Sequence, residues 1–87
     1  MERTLTIANK LGLHARAAAK LVQLSQQYRA DLFIRHNGEE VDGKSILNLL
    51  TLACPWGSEI LVRTEGAQAE ALLMAVATLI ADKFGED

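Results

Sequence analysis

An Asn-Gly pair near the middle of the 87-residue chain, Asn37-Gly38, constrains its fold more than any other feature. Asn and Gly tolerate the positive φ angles that a two-residue β-hairpin turn requires. The runs on either side, residues 31–36 and 39–42, have strand character. We therefore predict that these runs pair as neighbouring antiparallel strands, and that the sheet containing them is not an all-parallel one.

The remaining residues alternate between strand-like and helix-like patterns. Alternation of polar and apolar residues predicts two more strands, at 4–7 and 59–64. Apolar residues spaced three and four apart predict three helices, at 15–28, 46–53 and 68–84. The simplest two-layer arrangement is an α+β fold, an antiparallel sheet with the helices on one face, in the order βαββαβα. We expect residues 1–87 to form a single domain, because the length suits one core and neither a repeat nor a linker interrupts the pattern.

Composition removes several classes of function. Nine Lys and Arg stand against eleven Asp and Glu, a net charge of −2, so the chain lacks the basic surface that nucleic-acid binding requires. No apolar run approaches the roughly 20 residues of a membrane span, and the first seven residues lack the features of a secretory signal. We therefore expect a cytoplasmic protein with no membrane partner. Cys54 is the single cysteine, which excludes an internal disulfide, and His36 has no partner at metal-ligand spacing, so no metal or cofactor is expected.

Residues 12–19 place a histidine and an arginine where a loop ends and an amphipathic helix begins. Unpaired backbone N–H groups and the positive end of the helix dipole attract an anion there and disfavour a protonated imidazole, so His14 is expected to be a neutral nucleophile. Arg16 can supply a fork of charged donors to phosphate oxygens. The combination predicts a phosphohistidine site. Spacing alone also allows the opposite view, in which His14 only ends a loop and Arg16 is a solvated charge.

A resemblance to a known family decides between these views. Residues 9–16 (NKLGLHAR), followed by an alanine-rich helix, resemble the active-site signature of the histidine-containing phosphocarrier (HPr) family. The likeness extends over essentially the whole chain and includes residues 43–46 (GKSI) and 57–60 (GSEI). It implies an open-faced β-sandwich, in which four antiparallel strands lie in the order 1-4-2-3 and are covered by three helices.

The same resemblance implies a function. In this family the histidine that matches His14 is phosphorylated on Nδ1 by enzyme I of the phosphoenolpyruvate phosphotransferase system. It then passes the phosphoryl group to a histidine of an enzyme II A component. By this resemblance Arg16 stabilises the phosphate, and the chain is a monomeric phosphoryl carrier, a covalent intermediate rather than an enzyme.

Two residues depart from the family pattern. Ala17 stands in the first helical turn where the family usually has proline, and it restores one N–H donor near the phosphate. Leu11 replaces the small polar residue that is common in sugar-transport members. Residues 9–12 are more similar to the nitrogen-related branch and to other proteobacterial relatives. The resemblance therefore supports phosphotransfer more firmly than carbohydrate uptake.

Ser45 stands at the start of the second predicted helix, where its hydroxyl can cap the helix. It matches the family's regulatory serine, which an HPr kinase/phosphorylase modifies in many lineages. Because an N-cap position also favours a phosphate, the structural and the regulatory role are compatible.

The helix after Ser45 carries more apolar side chains than one face of a short helix can bury. By resemblance, four residues form a patch beside the histidine that docks on partner proteins: Ala15, Ile46, Leu47 and Leu50. Leu49 is expected to point inward. The alternative is that the whole run is buried.

Two rival functions remain. Residues 38–45 (GEEVDGKS) satisfy the Walker A pattern of nucleotide-binding proteins, but three carboxylates would lie inside the phosphate loop, and Asn37-Gly38 favours a hairpin there. The second rival is an interaction module of the same fold, which binds a regulator and never carries phosphate. The presence of both His14 and Arg16 argues against it.

Overall fold

The strands and helices follow one another in the predicted order. The computed structural model of the chain describes residues 1–86. Its four strands are β1 (Glu2–Thr6), β2 (Asp31–His36), β3 (Glu39–Asp42) and β4 (Glu59–Glu65). Its three α-helices are α1 (Ala15–Ser25), α2 (Ile46–Thr51) and α3 (Ala69–Ala81), and a short 3-10 turn, Lys83–Gly85, follows α3. Within this part of the chain, no helix is both long and apolar enough to cross a membrane.

All strand pairs in the sheet are antiparallel, and the strands lie in the order β1-β4-β2-β3. The hairpin between β2 and β3 closes at the pair of His36 and Glu39, and its turn residues Asn37 and Gly38 have φ angles of 51° and 83°. These left-handed angles suit Asn and Gly and would strain most other residues. The α+β fold and the strand order expected from the sequence are both confirmed.

The same hairpin removes the nucleotide-binding alternative. Glu39–Asp42 form β3 and pair with β2, so their backbone belongs to the sheet. The ammonium group of Lys44 donates to the carbonyl of Tyr28 at 3.4 Å. A phosphate loop needs successive backbone N–H groups that converge on an anion, and a paired strand does not offer them. Residues 38–45 are therefore a strand and its flanking turns.

The core lies between one face of the sheet and the helices. Alternate residues of β2 and β4 are buried, as expected for strands that cover a core with one face only. Burial of each large aliphatic side chain contributes about 1.5–3 kcal/mol. Fully buried members of both layers include Leu21, Leu32, Ile34, Leu49, Val62, Leu72 and Val76. On another part of the sheet, the Arg63 guanidinium lies 4.2 Å from the centroid of the Phe33 ring and pairs with Glu40 and Glu65.

The last helix is shorter than its sequence pattern predicts. The apolar spacing extends to residue 84, but α3 ends at Ala81, and Lys83 and Phe84 have φ angles of 57° and 54°. Phe84 is nevertheless only 1% exposed. The left-handed residues turn the chain back, and burial of the Phe84 ring offsets the backbone cost. The end of the described chain consequently runs back toward the start of α1.

Other boundaries differ from the prediction by a few residues. α1 ends at Ser25 rather than 28, because the next residues form a tighter turn in which the Gln27 N–H donates to the Leu24 carbonyl at 3.1 Å. α2 ends at Thr51 rather than 53, and Ala53 has a φ of 49° that a helix does not accommodate. Such terminal differences leave the order and pairing of the elements unchanged.

Candidate functional site

His14 is the N-cap residue of α1 and has an extended backbone, with φ −83° and ψ 179°. Its ring nitrogen Nδ1 accepts a hydrogen bond from the backbone N–H of Arg16 at 3.2 Å, and its carbonyl accepts one from Ala18 at 2.8 Å. Because a backbone N–H can only donate, Nδ1 carries a lone pair and the proton of the neutral ring is on Nε2. An unprotonated ring nitrogen therefore lies beside N–H groups that have no acceptor within the helix.

The other ring nitrogen of His14 contacts a carboxylate from the far end of the chain. Nε2 is hydrogen-bonded to Oε2 of Glu86, and Oε1 of Glu86 accepts a hydrogen bond from Nδ2 of Asn9 at 2.8 Å. The Asn9 hydrogen bond is the main cause that lowers the pKa of Glu86; burial opposes it, and His14 and the charge of Lys20 reinforce it. Glu86 is therefore ionised at neutral pH. The side chains of His14 and Glu86 are 26% and 14% exposed, so water reaches the pair only in part.

A tight loop sets the position of His14. Asn9 is fully buried, and its Nδ2 also donates to the Gly12 carbonyl at 2.8 Å. The Leu13 N–H donates to the Cys54 carbonyl at 2.9 Å. Gly12 has a φ of 69°, and a Cβ at this position would lie 2.4 Å from the Cys54 carbonyl oxygen, so only glycine fits. The loop is thereby packed against the segment that follows α2, which fixes His14 relative to that segment.

Two cations of α1 have different surroundings. The ammonium group of Lys20 donates to the Phe84 carbonyl at 2.5 Å, which ties the end of the described chain to α1. Arg16 is exposed in the first turn of α1, and within residues 1–86 its guanidinium has neither a hydrogen bond nor an ion pair. The Arg16 side chain is therefore free to bind an anion near the helix start.

The residues that the sequence singled out around α2 separate into buried and exposed. Ser45 is the N-cap, and its Oγ accepts a hydrogen bond at 3.3 Å from the backbone N–H three residues on, which confirms the predicted cap. Leu49 is fully buried, as predicted. Leu47 is 77% exposed, and Ile46 and Leu50 are 39% and 37% exposed. The alternative that the whole run is buried is therefore wrong.

Exposed apolar surface also extends beyond the predicted patch. Ala15 is exposed at the first position of α1, and α1 and α2 are in contact. Leu11 and Trp56, which were not among the residues predicted for the patch, are 70% and 63% exposed. Because Gly12 packs against Pro55, these two side chains extend from adjoining segments. A broad apolar surface thus occupies this part of the molecule.

Comparison with known proteins accounts for this arrangement. The chain matches, over residues 1–82, the family model described as the PTS HPr component phosphorylation site. The phosphocarrier protein HPr of Cupriavidus necator is 43% identical over 86 residues, which cover 99% of this chain and 97% of the relative. The chain belongs to the HPr family. It is a phosphocarrier of the phosphotransferase system, which confirms the phosphocarrier role that the sequence resemblance implied, and the interaction-module alternative is not favoured.

Other members of the HPr family show how far the similarity extends. The phosphocarrier protein NPr of Escherichia coli is 40% identical over 88 residues, which cover 100% of this chain and 98% of the relative. The crystal structure of HPr-C-His from Thermoanaerobacter tengcongensis is 34% identical, with a TM-score of 0.96 over 100% of this chain and 98% of that one. HPr from the same organism is also known as a crystallised dimer. The relatives thus include both HPr and NPr proteins, in agreement with the resemblance of residues 9–12 to the nitrogen-related branch.

Within this HPr-family fold, the sequence placed His14 and Arg16 correctly at the start of a helix but did not indicate Glu86. Glu86 lies 72 positions from His14, and no spacing or motif connects them. Asn9 was part of the recognised signature, but its contact with Glu86 was not foreseen. Within residues 1–86, no three His, Cys, Asp or Glu side chains lie together so that they could hold a metal ion.

Proposed function

We propose that His14 is the residue of this HPr-family phosphocarrier that holds the phosphoryl group, and that the group is bound to Nδ1. The proposal is supported by the hydrogen bond from the Arg16 N–H to Nδ1, which selects the ring form with a lone pair on that nitrogen. At 3.2 Å this hydrogen bond is at the long end of the usual range, so an incoming phosphorus can replace it readily.

The transfer needs no net movement of a proton. We propose that the donor is the phosphohistidine of enzyme I, whose N–P bond breaks with the electron pair left on the donor ring. The Nδ1 lone pair of His14 forms the new N–P bond. The Arg16 N–H then donates to a phosphoryl oxygen, together with other N–H groups of the first turn. Transfer to a histidine of an enzyme II A component repeats these bond changes in the other direction, so the protein is a covalent intermediate rather than an enzyme.

The proposed function is tested with the wild-type chain, enzyme I and radiolabelled phosphoenolpyruvate. We expect acid-labile label that maps to His14 and no label when enzyme I is left out. A chain that stays unlabelled, or is labelled on another residue, would contradict the proposal. The first of these results would instead support an interaction module.

Arg16→Ala is expected to slow phosphorylation of His14 by about tenfold or more, equivalent to about 1.4 kcal/mol of transition-state stabilisation. Because the exposed guanidinium has no partner within residues 1–86, its removal should leave folding unchanged. The rate is measured by rapid quench with labelled enzyme I. Arg29→Ala, at an exposed arginine beyond the other end of α1, removes the same charge and should react at the wild-type rate. Equal rates in the two variants would leave Arg16 without a role in transfer.

We further propose that enzyme I and the enzyme II A component bind the docking patch, defined as Ala15, Ile46, Leu47 and Leu50. The exposure of Leu47 supports this proposal, because 77% of its surface remains in contact with water after folding and is available to a partner. A partner histidine must also approach Nδ1 closely, and the contact between α1 and α2 brings the patch to the helix that begins after His14. The docking patch therefore fits a transient partner that transfers a group to or from His14.

We also propose that residues 1–87 form one domain, which acts as a monomer in the cytoplasm. One continuous core extends from Ile7 to Phe84 and supports a single domain. Cys54 is a free, buried thiol, and burial raises its pKa, which is compatible with a reducing compartment. A monomer leaves the docking patch open to partners.

Ser45 is proposed to be a regulatory phosphosite for an HPr kinase/phosphorylase, and Ser45→Asp is its mimic. An anion at this N-cap should be tolerated or stabilise the fold by a few tenths of a kcal/mol to about 1 kcal/mol. The same charge lies next to Ile46 in the docking patch and should slow phosphorylation of His14 by enzyme I. Thermal midpoint and phosphorylation rate are measured in parallel.

The control for this prediction is Ser45→Ala, which removes the hydroxyl cap without adding charge. It should lower stability by about 1 kcal/mol and leave the phosphorylation rate unchanged. If the rate is unaltered in Ser45→Asp and also in protein phosphorylated on Ser45, then Ser45 is a helix cap and has no regulatory role.

A further inference from the structure

The segment after α3 is held over the first turns of α1. Lys83, Phe84 and Gly85 all have positive φ angles, which turn the chain back after the helix. The Phe84 ring is buried in the core, and the Phe84 carbonyl accepts the hydrogen bond from Lys20. Within the turn itself, the Gly85 N–H donates to the Asp82 carbonyl at 2.9 Å. These contacts bring the next residue, Glu86, to the imidazole of His14.

Both oxygens of the Glu86 carboxylate are used. Oε1 accepts from Asn9 and Oε2 from His14. The orientation of the Asn9 amide is determined by its surroundings, because its nitrogen faces two acceptors, the Gly12 carbonyl and Oε1. The opposite orientation would place an oxygen against two oxygens. Asn9 therefore acts as a buried clamp that holds one carboxylate oxygen and directs the other to Nε2.

We propose that Glu86 is a positioning residue for phosphoryl transfer, which keeps the imidazole proton on Nε2 of His14 through both the arrival and the departure of the phosphoryl group. This inference rests on the proposed role of His14 as the phosphoryl acceptor. Glu86 touches neither the phosphoryl group nor Nδ1; it acts through the imidazole ring.

The chemistry of the ring gives Glu86 an effect on each step. When the Nδ1 lone pair bonds to phosphorus, the ring that retains its Nε2 proton becomes cationic, and an adjacent carboxylate stabilises that cation. When the phosphoryl group leaves, the bonding pair returns to Nδ1 and the leaving group is a neutral imidazole. Without the Nε2 proton the leaving group would be an imidazole anion, which departs much less readily. A proton retained on Nε2 therefore favours both steps.

The position of Glu86 is compatible with this role. The two ring nitrogens of an imidazole point away from each other, so a carboxylate on Nε2 does not occupy the approach to Nδ1. Carboxylates orient catalytic and metal-binding histidines through the nitrogen opposite the reacting one in the same way. The positive charge of Lys20 also acts on the Glu86 carboxylate, and its ammonium group donates to the Phe84 carbonyl.

The test compares Glu86→Gln with Glu86→Asp and with Glu70→Gln. A glutamine keeps the shape but offers a single acceptor oxygen, so it cannot serve both Asn9 and His14. Aspartate keeps the charge and should rescue function at least in part. Glu70→Gln removes the same charge from the first turn of α3, at the other end of that helix from Glu86. The double variant E86Q/D87N also removes the carboxylate of the next residue in the sequence, so that this group cannot substitute for Glu86.

Two properties are measured in each variant. The ¹⁵N chemical shifts of the His14 ring report which nitrogen carries the proton in the unphosphorylated protein. The rate at which labelled protein passes its phosphoryl group to an acceptor is followed by rapid quench. In Glu86→Gln we expect a larger fraction of the ring with its proton on Nδ1, and transfer slower by on the order of tenfold, as for loss of other groups that orient a histidine. Glu70→Gln should match the wild type in both.

Wild-type values of either property in both Glu86→Gln and E86Q/D87N would overturn the proposal. If transfer is slow but the proton remains on Nε2, the substitution acts on partner binding rather than on the ring. If the proton moves to Nδ1 but transfer is normal, the position of the proton does not affect the rate. If the wild-type protein is not labelled on His14, the proposed function fails, while the ring measurement still decides whether Glu86 orients His14.

Discussion

His14→Ala is expected to abolish the incorporation of acid-labile phosphate from enzyme I while the chain stays folded. The variant lacks the only ring nitrogen that the proposed transfer uses, and alanine offers no nucleophile. The ring is an N-cap rather than a core side chain, so its loss should lower stability by about 1 kcal/mol and the thermal midpoint by about 4–8 °C. Labelling with radioactive phosphoenolpyruvate and a thermal melt measure the two effects.

The matched control is His36→Ala, which removes the other histidine of the chain. His36 lies at the end of β2, and its Nδ1 is 3.3 Å from the Glu59 carbonyl oxygen, so its surroundings do not resemble those of a nucleophile at a helix start. This variant should be labelled at the wild-type rate. Label retained in His14→Ala, or lost in His36→Ala, would contradict the assignment of His14.

Leu47→Asp is expected to weaken the complex with enzyme I by about 30-fold or more, the effect of losing a central apolar anchor worth about 2 kcal/mol. A carboxylate at the centre of the docking patch would also have to be desolvated on binding. Leu47 is 77% exposed, so the thermal midpoint should hardly change. The KM of enzyme I for the variant and its binding by calorimetry both measure the effect.

Met74→Asp is the control for this prediction. Met74 is 62% exposed on α3, outside the docking patch, and its replacement introduces the same charge in place of an exposed apolar side chain. It should bind and react normally with enzyme I. If Leu47→Asp binds as well as Met74→Asp does, the docking patch lies elsewhere. If it unfolds and its folded fraction is phosphorylated normally, Leu47 contributes to the fold rather than to docking.

Local pattern predicted the secondary structure well where interactions are local. The Asn37-Gly38 turn, the cap at Ser45 and the inward direction of Leu49 all agree with the structure. The predicted end of α3 was wrong, because Phe84 continues the helical spacing of apolar residues but reaches the core through a left-handed turn. Apolar periodicity predicts that a residue is buried, but it does not predict which backbone conformation brings that residue to the core.

The candidate site shows the same division. Sequence alone was enough to place a histidine and an arginine at the start of an amphipathic helix, because capping, turn geometry and apolar periodicity all arise between residues close in the chain. The contact between a carboxylate and Nε2 of His14 became visible only in the folded chain. That contact depends on where α3 ends, on the packing of Phe84 and on the buried Asn9 clamp. A pairing across 72 positions leaves no periodic or local trace in a single sequence, since it results from how the whole core packs.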